Sequence, residues 1–114
     1  MVIKPKEKVH VIQRRLFENE LRRHFIGEVL EAGEVAIRVR GYAFVLEAGT
    51  NQYVRRPDVR DRVVSLTDAS LIINVLPPKA NCGKATYVMG KDSHLCVTDG
   101  ETFSLDINEF GARR

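Results

Sequence analysis

The sequence predicts a mostly β domain, built as a short N-terminal helix, a small barrel of bent strands and a C-terminal β-hairpin. Three observations predict it. Val35, Ile37 and Val39 alternate with Ala36, Arg38 and Arg40, the period of a strand with one buried face. Turn-forming residues punctuate the chain from Glu31-Ala32-Gly33-Glu34 onward, leaving short strand-sized segments between them. Only residues 11 to 23 carry a helical spacing, with Ile12 four before Leu16 and Phe17 four before Leu21, and no Gly or Pro between.

A chain of 114 residues buries a sizeable core as one domain, without disulfides or metal. Its organisation reads as a basic tail over 1–10, a helix plus barrel over 11–77, a connector over 78–84 and a hairpin extension of the same domain over 85–114. Cys82 and Cys96 form neither a Cys-x-x-Cys pair nor a zinc half-site, and the first lysines precede no apolar signal core; the expectation is a reducing cytoplasm. Leu71 to Leu76 is the longest mostly apolar run, far below the roughly 20 residues of a membrane span.

In order, residues 1–8 with Lys4, Lys6, Lys8 and Pro5 lack an apolar period and read as a frayed tail. In the helix, Arg14, Glu18 and Arg22 follow at intervals of four, where opposite charges support successive turns. Beyond His24 the period falls to two. After Gly41 the apolar set Tyr42, Phe44 and Leu46 runs one step out of phase with Val35, Ile37 and Val39, which predicts a β-bulge and a sharp bend at Gly41. Gln52 to Arg56 is a strand stopped by Pro57, and Arg62 to Leu66 is another. Leu71-Ile72-Ile73-Asn74-Val75-Leu76 is apolar on both faces and must be covered twice, at the centre of a sandwich or as an edge buried by a second copy. Pro77-Pro78 ends that unit. In the hairpin, a three-residue loop Thr98 to Gly100 would pair Leu95 with Phe103 and Val97 with Glu101, which predicts Gly100 at positive φ.

Charge is uneven. Residues 1–62 hold 13 Lys and Arg against 9 Asp and Glu, a balance of +4, whereas residues 63–114 hold 5 against 6, a balance of −1. Ten of those 13 cations are arginine, whose planar fork suits phosphate. Arg38 and Arg40 share a strand face, Arg55, Arg56, Arg60 and Arg62 flank Pro57, and Tyr42 and Tyr53 lie nearby. Cations interleaved with aromatic rings are what a single-stranded nucleic acid needs, so these eight residues are the candidate polyanion site. The competing reading is that Asp58, Asp61 and nearby glutamates pair the arginines and that the tyrosines are packing.

His94 and Cys96 share a strand face, with Cys82 or His24 available to complete a metal set, but a buried cysteine beside an ordinary histidine explains the pair with less. Ser65, Ser70, Ser93 and Ser104 stand in no nucleophile context, and Gly27, Gly33, Gly41 and Gly49 are too dispersed for a phosphate loop. The expectation is therefore no enzyme, no metal and no cofactor.

A short helix followed by about five strands, the second long and bent at a glycine, resembles the Sm/LSm-like small β-barrel over Val11 to Leu76; other SH3-like or OB-like barrels share much of this layout. The resemblance implies a closed homo-oligomeric ring, with the last barrel strand of one subunit pairing with its neighbour, and RNA binding. Leu71, Ile72, Ile73 and Val75 would form that oligomer edge. The family's Asp-x-Asn and Arg-Gly-Asp/Asn motifs have Thr50-Asn51-Gln52 and Thr67-Asp68-Ala69-Ser70 in their places, so no nucleotide pocket carries over. The expected function is a non-enzymatic oligomeric barrel that binds RNA or another polyanion, the alternative a protein-interaction module without a nucleic-acid role.

Overall fold

Alternation along Arg23–Ala32 (β2) and Ala36–Glu47 (β3) pairs these two strands antiparallel from Arg23 opposite Val45 to Ala32 opposite Ile37. A computed structural model describes residues 2–14, 22–90 and 93–107. Around that pair lie Lys8–Gln13 (β1), Gln52–Arg55 (β4), Arg60–Ser65 (β5) and Leu71–Leu76 (β6). The order across the sheet is β6, β1, β2, β3, with β5 on the first half of β3 and β4 on its end. A second antiparallel sheet contains Thr86–Met89 (β7), Leu95–Thr98 (β8) and Ser104–Asp106 (β9). The protein is mostly β, and no helix among the described residues is long and apolar enough to cross a membrane.

Each face of the first sheet buries its own core. Val9 and Val11 of β1, Phe25 and Val29 of β2, Ile37, Val39 and Ala43 of β3 and Val64 of β5 form one cluster, with Leu71 and Ile73 of β6 packed against it. Strands at opposite edges of a sheet share a cluster only when the sheet curls around it, as this one does. It does not close: β5 and β6 make no ladder with each other among the described residues. On the outer face, Ile26, Phe44 and Leu76 pack with Ala80, Ala85 and Val97 beneath the second sheet. Burial of this kind, at about 25 cal/mol per Å² of apolar surface, is the main stabilising term on both faces.

Several expectations change. The helix expected over residues 11–23 does not form at its ends: Val11 to Gln13 belong to β1 and Arg23 to β2, while residues 15–21 lie outside the described residues. Val9 and Val11 alternate into the inner core between ladders to β2 and β6, and paired β-branched side chains outweigh a four-residue spacing that is also compatible with a helix. The N-terminal stretch is tied down rather than frayed, for the Lys6 N–H donates to Val29 O at 2.7 Å and the Val29 N–H to Glu7 O at 2.8 Å.

The phase change at Gly41 is not a bulge. β3 runs through it without interruption, and the only register shift of its ladder to β2 lies between Val29 and Glu31. Ile37 and Val39 point into the inner core and Tyr42 and Phe44 into the outer one. The second half of β3 is covered on both sides, so its dominant apolar set changes face without an inserted residue.

The same logic explains β6, which has the expected bounds. Among the described residues it is an edge strand paired with β1 alone; Leu71 and Ile73 pack against the inner core and Leu76 joins the outer one, while Val75 stays exposed. In the hairpin Gly100 has φ +86° as expected, but the register differs: Val97 lies opposite Leu105 and Thr98 opposite Ser104. Asp99 causes the longer loop. Its buried carboxylate accepts from the backbone N–H groups of Glu101 (2.9 Å) and Thr102 (2.7 Å) and from the Thr102 hydroxyl, and it also holds Asn81 N of the connector at 2.9 Å.

Candidate functional site

The eight residues of the predicted polyanion site do not form one surface. Cross-strand partners share a face: Arg40 lies opposite Asp61 and Arg38 opposite Val63, whereas Arg62 lies opposite Val39 and Arg60 opposite Gly41. Since Val39 faces the inner core, Arg60 and Arg62 project to the inner side of the curled sheet and Arg38 and Arg40 to the outer side. A strand reverses its face at every residue, and only the register decides which arginines meet.

Most of these groups are engaged. Arg40 grips Asp61 with two parallel bonds, Nε to Oδ1 at 2.7 Å and Nη2 to Oδ2 at 3.0 Å, which raises its own pKa and lowers that of Asp61. Arg38 meets Glu31 at 3.1 Å and Arg60 meets Asp58 at 3.7 Å. Arg55 donates to Gly83 O and lies 4.7 Å over the Tyr42 ring. Tyr53 stacks on His24 and Tyr87, with centroids 4.5 and 4.6 Å away. Arg56 is exposed just after β4. Half-buried rings that stack on protein partners offer no open platform to a base.

Arg62 packs on a ring of the inner core. Its guanidinium lies 5.1 Å from the Phe25 ring centre and makes no ion pair among the described residues. Burial first, then the like charges of Arg60 and Arg23, lower its pKa.

The structure also assembles a polar cluster that the sequence did not disclose. His10 of β1 is fully buried and His24 of β2 is 6% exposed. Asn74 Nδ2 is 3.3 Å from His10 Nδ1, His10 Nε2 is 3.3 Å from His24 Nδ1, and the Tyr87 hydroxyl of β7 lies 3.1 Å from His10 Nε2 and 2.6 Å from His24 Nδ1. With the amide of Asn74 donating, His10 Nδ1 accepts and its Nε2–H donates, while the Tyr87 O–H donates to His24 Nδ1. Both imidazoles are therefore neutral. Burial pushes His10 down to about 4, and burial together with the charges of His10 and Arg22 pushes His24 down to about 3. Burial also raises the Tyr87 hydroxyl. The signal available in the sequence was His10 and His24 on strands of inner-outer alternation, but nothing local announces that Tyr87 reaches them across 77 and 63 residues.

His94 is bound to Asp106 at 2.8 Å and Cys96 Sγ contacts His94 O at 3.7 Å. Among the described residues, no three His, Cys, Asp or Glu side chains converge as metal ligands. Burial raises the Cys82 thiol to about 11, far from the thiolate a nucleophile needs.

The edges of the first sheet complete the picture. Arg14 N–H donates to Ser70 O at 2.8 Å, in register with the β1–β6 pairs, and bonded pairs alternate along an antiparallel ladder. Ile72, Asn74 and Leu76 therefore bond to β1, and Ile73 and Val75 turn N–H and C=O outward. By the same reasoning from Leu66 N–H to Val35 O at 2.8 Å, Asp61 and Val63 turn theirs outward from β5. Val63 and Val75 are 66% and 54% exposed. Comparison with protein-family models, curated proteins and solved structures finds no match.

Proposed function

We propose that the protein is a non-enzymatic, self-associating module of the small-barrel type, in which β6 of one copy adds to β5 of the next. The carrying observation is that one curled sheet presents two open edges, each with outward backbone groups and an exposed valine. Exposed edges of this kind are templates for further pairing, and no proline, bulge or inward charge blunts β6. The strand order β6, β1, β2, β3, β5 is that of an open small barrel, which supports the resemblance argued from the sequence. Pairing β6 with β5 is head-to-tail, so it closes into a ring or extends into a filament.

The polyanion role has weaker support, because its arginines divide between two faces and four of them are already engaged. A mixed single-stranded RNA pool that fails to bind at low salt removes it.

The mass in solution tests the assembly. Wild-type protein should be oligomeric by native mass spectrometry, and Val75→Pro should be monomeric with an unchanged circular dichroism spectrum, since the N–H it removes points away from β1. A monomeric wild-type protein overturns the proposal.

A further inference from the structure

No backbone ladder joins the two sheets among the described residues. They meet through the outer core, where Ile26, Phe44 and Leu76 pack with Ala80, Ala85 and Val97, and through the Tyr87 hydroxyl on His10 and His24. The connector has ties of its own, from Lys8 Nζ to Pro78 O at 2.6 Å and from Arg55 to Gly83 O. The inner core takes no residue from β7, β8 or β9, so the first sheet keeps a core when the second is lifted away. The three short strands of the second sheet have their apolar side on the first, and such a unit opens separately when its docking weakens.

His10 and His24 lie at this junction with nothing to balance a charge. His10 is met by His24 from β2, by the Asn74 amide from β6 and by the Tyr87 hydroxyl from β7. His24 is met by His10 from β1, by the Tyr53 ring from β4 and by Tyr87 from β7, with Phe44 of β3 opposite it in the ladder. The charges that act on His24, those of Arg22 and of a protonated His10, are both positive, and neither histidine forms an ion pair among the described residues. Protonation of either ring therefore leaves an uncompensated cation in a buried seam. At His24 Nδ1 it also removes the acceptor of the Tyr87 O–H.

We propose that His10, His24 and Tyr87 form an acid-released latch, whose protonation undocks the second sheet and uncovers Ile26, Phe44 and Leu76 while the first sheet stays folded around its inner core. In the docked state burial holds both histidines below 6.5, whereas undocking returns them to water. Release is therefore favoured as pH falls below about 6.5, by up to about tenfold per pH unit for each histidine. Asp99, which ties the hairpin loop to the connector, stays ionised through this interval because hydrogen bonds hold its carboxyl well below the usual range.

Acid titration of the full chain, followed amide by amide by NMR, tests this. Native signals of β7 and β8 should disappear at a pH at least about half a unit above that at which β1 to β3 lose theirs, with an apolar dye binding in the interval. Tyr87→Phe should move the release to higher pH, since it removes a bond that only the docked state makes. His24→Asn, whose side chain does not titrate, should make the release less steep, from about two protons taken up to about one. Loss of both sheets at one pH overturns the proposal, as does a Tyr87→Phe variant that releases at the wild-type pH. A folded His24→Asn variant that releases with wild-type steepness overturns it too; if circular dichroism shows that this variant does not fold, Tyr87→Phe decides.

Discussion

Gly41 lies opposite Gly27 across the β2–β3 ladder, so close that a Cβ on Gly41 would come 1.9 Å from Ile26 O and 2.5 Å from Gly27 Cα. A Cβ on Gly27 would come 2.3 Å from Arg40 O. The clashing atoms are backbone, which cannot turn aside as a side chain can. The tight curl that gathers Val9, Phe25, Val39 and Val64 into one core passes through this pair.

Gly41→Ala should therefore destabilise the fold by about 3 kcal/mol, the upper part of the range for overpacking. The shift of the urea midpoint measures it. Gly49→Ala is the control, because a Cβ there meets nothing within 4 Å, and it should change stability by no more than about 0.5 kcal/mol. Equal midpoints for the two variants would show that the sheet opens without cost at Gly41.

Acid should destabilise the protein through His10 and His24. Their folded pKa values, about 4 and about 3, lie below the ordinary 6.5, so below 6.5 the unfolded chain binds more protons than the folded one. Their stabilising contribution is present in full above 6.5 and is lost as pH falls through the interval down to about 4 and then about 3. Each histidine adds a slope of up to about 1.4 kcal/mol per pH unit. Urea midpoints that stay level between about pH 7 and about pH 5 would contradict neutral, buried imidazoles.

Tyr87→Phe removes the hydroxyl that links the second sheet to both histidines. Since the His10 Nε2–H can still reach His24 Nδ1 at 3.3 Å, part of the network survives, and the expected cost is about 1–2 kcal/mol. The same variant should raise the hydrogen-exchange rate of β7 amides more than that of β2 amides, because the tie lies between the sheets.

Asp99→Ala should loosen the hairpin loop and the connector together. Burial would raise the Asp99 carboxyl, but hydrogen bonds from Thr102, Asn81 and Glu101 hold it well below the usual carboxylate range. The expected outcome is a lower melting temperature, with faster amide exchange at Asn81, Glu101 and Thr102. Unchanged exchange at Asn81 would mean that the connector is held by other contacts.

The amino-acid sequence alone determined the β class, the bounds of β6, the strand expected over Gln52 to Arg56 and found over Gln52–Arg55, and the positive φ of Gly100, because alternation, proline and a left-handed turn are local properties. It also exposed β6 as doubly apolar, though covering by a second copy and covering within the chain look identical from one strand. Tertiary structure alone decided the rest. Residues 11–13 became strand because two neighbouring strands were there to pair with. The arginines divided between two faces because register, set by distant partners, assigns each side chain its side. Asp99 displaced the hairpin register by accepting from both the loop and the connector. His10, His24 and Tyr87 met because two sheets stacked. Each of these depends on contacts between residues far apart in the chain, which no local pattern encodes.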